Sequence, residues 1–95
     1  LDPQDIARVE GQWNDEAQAA VDVIKATAMA KGVVAQAITS RADLVAESVI
    51  ATAKKYDCDL IVMASHGRRG IKRVLLGSET QHVLTHSHIP VLVLR

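Results

Sequence analysis

"DLIVMASHGRRGIKRVLLGSETQ", residues 59–81, holds the reading that decides the fold. It opens with a near-continuous apolar run, Asp59 to Ala64, of the kind a strand buried on both faces of a parallel sheet presents. It closes on Ser78 with Gln81 three residues later, a Ser-x-x-Gln pattern that predicts a helix start with Ser78 as its cap. Between them lie three glycines (Gly67, Gly70, Gly77) and four basic residues (Arg68, Arg69, Lys72, Arg73). Strand, glycine-rich loop, helix is the order in which open parallel sheets place ligands, outside the carboxyl ends of their strands.

The flanking sequence predicts the same class of fold. "DEAQAAVDVIKATAMAKG" repeats Ala17, Val21, Ile24 and Ala28 at helical spacing, with Trp13 one turn upstream. It predicts a helix over about 14–30, extendable back toward residue 4 through Gly11, with Pro3 and Asp5 as a possible opening and Gly32 as the stop. "VVAQAIT", 33–39, is short and partly β-branched and reads as a strand. "SRADLVAESVIATAKKY" starts with Ser40 and Asp43 as a capping pair. Its apolar face is Ala42, Val45 or Ala46, Val49 and Ala53. A short helix is predicted from Ser78 to about His86. Pro90 then opens the last apolar strand, "VLVLR", where proline is tolerated. Strands alternating with helices predict an α/β protein with a parallel sheet and helices on its faces. A chain that begins with a helix and offers three strands reads as the C-terminal part of a larger α/β unit.

Composition excludes several functions. Ninety-five residues allow one domain at most. Lys+Arg and Asp+Glu cancel at 11 each, so no global field favours nucleic acid or an anionic membrane. With Trp13 and Tyr56 as the aromatic residues and no Phe, the loop lacks stacking platforms for bases. No apolar run approaches the length of a membrane span. The single cysteine, Cys58, excludes an internal disulfide framework and suits a reducing cytoplasm.

The loop is not a Walker A loop, and it is not the dinucleotide fingerprint G-x-G-x-x-G. Glycine lets a backbone approach a phosphate closely, and a helix N-terminus at Ser78 favours an anion. From spacing alone, a phosphate loop and a structural turn with an ordinary helix cap both stay open. His82 and His86 lie four apart with His88 beyond, but no third metal ligand is visible, and surface polarity explains them. Cys58 has no activating cation at fixed spacing. No carboxylate pair or nucleophile–base pair argues for fast catalysis.

From residue 33 onward, and above all in "DLIVMASHGRRGIKRVLLGSETQHVLTHSHIPVLVLR", the chain resembles the C-terminal half of universal stress protein domains. The nucleotide-binding branch of that family carries Gly-x2-Gly-x9-Gly-Ser/Thr. Here Gly67, nine residues and Gly77-Ser78 supply the last two glycines and the hydroxyl, and Ala64 stands at the first glycine. The resemblance implies a three-layer α/β/α fold of the flavodoxin-like, adenine nucleotide alpha hydrolase-like type, a five-stranded parallel sheet of order 3-2-1-4-5. The first two strands would be absent here, so residues 1–95 would be the C-terminal part of a single domain. It also implies ATP, or ADP or AMP, as ligand, with Mg2+ accompanying ATP. By position, Met63, Ala64, Gly67, Gly77, Ser78 and Glu79 would line the phosphate and ribose side. His66 and Arg69 are secondary candidates for phosphate contact. The function implied is a stress-response binding and signalling module, at most a slow ATPase or an autophosphorylating protein. The alternative is a nucleotide-free dimeric interaction module. Pairing of the edge strand Val91–Arg95 with its copy in a second subunit would give a homodimer.

Overall fold

The computed structural model describes residues 2–65 and 76–95. The chain divides into two compact units, Leu1–Arg41 and Ala42–Arg95.

The first unit is built on α1, Pro3–Ala30, a 28-residue helix. The Asp2 side chain accepts a hydrogen bond from the Gln4 N–H at 2.9 Å, and Pro3 occupies the first helical turn, where its missing N–H costs nothing. The helix therefore runs through Gly11, as the extension of the 14–30 pattern allowed. At its other end Gly32 adopts φ 78°, a left-handed conformation. The N–H groups of Gly32 and Val33 donate to the carbonyls of Met29 and Ala28. This pair of bonds satisfies the last helical carbonyls and turns the chain out of the helix.

Residues 33–39 form no strand, contrary to the expectation from their β-branched content. A strand exists only through a ladder with a neighbour. Both described strands pair with each other, and neither lies in this segment.

The second unit holds α2 (Val45–Lys55), β1 (Ile61–Ala64), α3 (Ser78–His86) and β2 (Val91–Leu94). The strands pair in parallel, with Ile61 opposite Val91 and Ala64 opposite Leu94. The connection between them runs through α3, so the segment is a β-α-β unit. Bonds from the Ile61 N–H to the Pro90 carbonyl (2.9 Å) and from the Ser65 N–H to the Leu94 carbonyl (2.7 Å) extend the ladder at both ends. Pro90 contributes an acceptor, which proline retains, just before the strand begins.

Helix α2 starts at Val45, five residues after Ser40, so the Ser40–Asp43 capping pair does not form its N-terminus. Leu44 is the N-cap and gives no side-chain bond. A tertiary partner takes over: the Ala46 N–H donates to the Glu79 carboxylate of α3 at 2.9 Å. The buried face of α2 is Ala46 and Ala53, with Val49 and Ile50 packed between them, close to the predicted face. These residues meet Ile61, Val83, Met63, Ile89 and Val91 in one core.

Strand β1 is covered on one face only among the described residues. Ile61 is buried and Met63 packs on the core, while Val62 is 53% exposed, Leu92 49% and Leu94 51%. The apolar run supplies side chains to both faces, but α2 and α3 cover one and the other stays half exposed among the described residues, where the run predicted burial on both.

The C-terminus of α2 makes a testable point. Asp57 sits just past the helix at φ 52°, and the N–H groups of Asp57 and Cys58 donate to the carbonyls of Lys54 and Ala53. An L-residue in this region pays for crowding of its Cβ, which glycine avoids. Asp57→Gly is expected to raise stability by about 0.5–1 kcal/mol, read as a higher urea midpoint at unchanged slope.

Candidate functional site

Two hydrogen bonds fasten the carboxyl end of β1 to the start of α3, and a third ties the same strand end to β2. The Gly77 N–H donates to the Ser65 carbonyl at 2.7 Å. The Thr80 hydroxyl donates to the Ala64 carbonyl at 2.9 Å. The Ser65 N–H, on the other side of the same residue, donates to Leu94 of β2. Ser65 and Thr80 are both buried, which a short polar side chain tolerates when it is bonded. Gln81 adds a bond from its side-chain amide to the Leu76 carbonyl at 3.0 Å, holding the residue just before the turn into the helix.

Ser78 is the first helical residue, and the N-cap is Gly77, with φ −67° and ψ 155°. The expected Ser-x-x-Gln capping box with Ser78 as cap therefore does not form, and no side chain caps α3. The extended Gly77 backbone directs its own N–H back to the strand, so the cap position is held by the strand-to-helix closure. The first intrahelical bond runs from the Gln81 N–H to the Gly77 carbonyl. That leaves the N–H groups of Ser78, Glu79 and Thr80 as the donors that a helix start presents without an intrahelical partner. Together with the positive end of the helix dipole they form an anion-favouring surface. The exposed Ser78 side chain stands on it.

The residues singled out in the sequence are distributed as follows. Ala64, Gly77, Ser78 and Glu79 meet at this junction. Met63 ends near it through its backbone, but its side chain packs on the core with Ile61 and Val83. The Glu79 carboxylate is bonded to the Ala46 N–H. His66, Gly67 and Arg69, with Arg68, Gly70, Lys72 and Arg73, lie outside the described residues. Thr80 was not singled out. The signal for it is a hydroxyl in the first turn of a helix that returns beneath a strand end, where the strand's last carbonyls need donors. Thr80→Val keeps the shape and removes the donor. It is expected to cost about 1 kcal/mol, measured by chemical denaturation.

His82 and His86 stack with ring centroids 4.3 Å apart, and His86 Nδ1 lies 3.0 Å from the His82 carbonyl. The Nδ1–H form makes that contact a hydrogen bond. Among the described residues, no group of three or more His, Cys, Asp or Glu is placed to hold a metal ion. None of the described helices is long and apolar enough to cross a membrane. Cys58 is an exposed free thiol.

A parallel β-α-β unit with a helix starting at the carboxyl end of its first strand defines an α/β protein, and in open sheets of that class ligands bind at that end. Comparison with known proteins narrows the class. The sequence model of the Universal stress protein family matches residues 2–95. The chain belongs to the universal stress protein family. It is similar to Universal stress protein MJ0531 of Methanocaldococcus jannaschii, 42% identical over 50 residues, which are 53% of this chain and 29% of that protein. Universal stress protein MJ0577 of the same organism is 41% identical over 49 residues, 52% of this chain and 30% of that protein. A solved structure of MJ0577, described as a hypothetical protein whose biochemical function was assigned from structure, matches with a TM-score of 0.87 at 30% identity. The match covers 93% of this chain and 61% of the MJ0577 chain, so this chain spans less than two thirds of that relative.

Proposed function

We propose that this universal stress protein binds an adenine nucleotide, ATP before ADP or AMP, at the turn between β1 and α3, and serves as a stress-response binding and signalling module. The observation that carries the reading is the set of N–H groups at Ser78, Glu79 and Thr80, beside the Ser78 hydroxyl and next to a residue without a Cβ. The family's Gly-x9-Gly-Ser pattern falls on Gly67, Gly77 and Ser78. In this reading Ala64 and the Met63 backbone form the floor at the strand end. The Glu79 N–H faces the phosphates, and His66 and Arg69 give secondary contacts. Mg2+ enters as the companion of the ATP phosphates. Residues 1–95 act as the C-terminal portion of a single domain.

The same proposal includes a homodimer. Strand β2 pairs with β1 along one edge, and no described strand pairs with its other edge. An open apolar edge invites a second strand, and Val91–Arg95 of a second copy fits it. With a single thiol, we assign the protein to the reducing cytoplasm.

A specific pair of observations favours the second reading, a nucleotide-free dimeric interaction module. Ala64 carries a Cβ where the family pattern has glycine, and the Gly77 N–H is already bonded to Ser65. Calorimetric titration of the intact protein with ATP, ADP and AMP separates the two. Saturable heat with ATP is expected, and its absence for all three nucleotides selects the interaction module. A turnover assay on the same sample tests slow hydrolysis and autophosphorylation.

A further inference from the structure

Helix α2 begins without a cap of its own. Leu44 occupies the N-cap with φ −111° and ψ 90°, an ordinary extended geometry, but leucine has no acceptor to offer. The donor it leaves is in a costly place: Ala46, at the second helical position, is only 2% exposed. A buried amide without a partner is strongly disfavoured. The acceptor arrives from 33 residues away in sequence, as the Glu79 carboxylate. Glu79 lies in the first turn of α3, one residue past Ser78. One side chain thus joins the N-terminal turns of two helices. Its charge favours both helix starts, because each carries the positive end of a dipole.

We propose that Glu79 is a positioning residue whose carboxylate caps α2 and thereby fixes the start of α3, and that this carboxylate does not contact the ligand. Two bonds at the junction, Gly77 to Ser65 and Thr80 to Ala64, hold α3 to the sheet. The Glu79–Ala46 bond adds the constraint they lack, a tie from the start of α3 to the neighbouring helix. The Ser78–Thr80 N–H groups therefore keep one orientation only while α2 accepts the tie. The consequence for ligand binding rests on the nucleotide reading above. The capping role does not.

The test uses the intact protein and supplies α2 with a cap of its own. Leu44 is exposed and already has the backbone of a capping residue, so Leu44→Asp can bond the first amides of α2 locally. Four proteins are compared: wild type, Glu79→Ala, Leu44→Asp and the double variant. Each is followed by thermal midpoint, amide hydrogen exchange at Ala46 and ATP titration. Glu79→Ala is expected to lower the midpoint by several degrees, to speed exchange at Ala46, and to weaken ATP by no more than about fivefold, the equilibrium factor of one lost cap. The double variant is expected to recover the midpoint and the Ala46 exchange but not the ATP affinity, because the tie from α2 to α3 stays broken. Glu79→Gln keeps an acceptor at the same reach and is expected to hold the midpoint and the Ala46 exchange near wild type.

Failure of the local cap to restore midpoint and exchange overturns the proposal. So does an ATP loss in Glu79→Ala with unchanged midpoint and exchange, which identifies a direct ligand contact. If wild type gives no heat with any nucleotide, the nucleotide reading falls, while midpoint and exchange still decide the cap.

Discussion

Val83→Asp is expected to unfold the Ala42–Arg95 unit. Val83 is fully buried, and it lies where α3 meets Ala46 and Ala53 of α2 and Ile61 of β1. A carboxylate there would be shut away from solvent among the apolar side chains of Ala46, Ala53 and Ile61. An unpartnered buried charge costs several kcal/mol, and the total stability of a domain is about 5–15 kcal/mol. The core is also small, with Ala46, Ala53, Ile61 and Val83 as its buried apolar members. The measurement is amide protection in β1 and β2, which should vanish together with the helical circular dichroism of the unit. Leu84→Asp, one position along and 40% exposed, is the matched control and should leave both nearly unchanged. Equal damage from the two would show that the helix tolerates no charge there and would remove Val83 from the centre of the core.

Gly77→Val and Ser78→Ala should separate ligand binding from folding. Gly77 has a backbone that valine adopts readily, φ −67° and ψ 155°, and its N–H bond to Ser65 survives the change. The added isopropyl group then stands where the phosphates approach. A loss of at least about tenfold in ATP affinity is expected, equivalent to about 1.4 kcal/mol. Ser78→Ala removes a hydroxyl that caps nothing here, so its effect on stability should be small and its effect on affinity should persist. Unchanged affinity in both variants would sink the assignment of the turn.

The α/β class and the β1–α3–β2 order were legible because their signals are local. "DLIVMA" and "VLVL" are apolar runs bounded by turn residues, and 78–86 has a start and a stop. The 28-residue helix was legible only in part, because Gly11 weakens the pattern although it breaks no bond. The misreadings have one cause. Residues 33–39 look like a strand from their side chains, yet a strand is defined by its neighbour. Ser40 and Asp43 look like a cap, yet the Ala46 donor takes its acceptor from Glu79, across 33 positions. Ser78 looks like a cap, yet the closure between Gly77 and Ser65 moves the helix start by one residue. Each depends on a contact distant in sequence, which periodicity cannot reveal. The role of Thr80 was hidden for the same reason.

The bond between Ser65 and Gly77 spans eleven intervening positions, 66–76. Its two ends are secured by β2, through Leu94, and by α3, through Thr80. Loop-closure entropy rises only slowly with length, by roughly 0.6 kcal/mol per doubling. A segment of different length between Ser65 and Gly77 is therefore expected to leave their closure standing, since strand β2 and helix α3 pin its two ends.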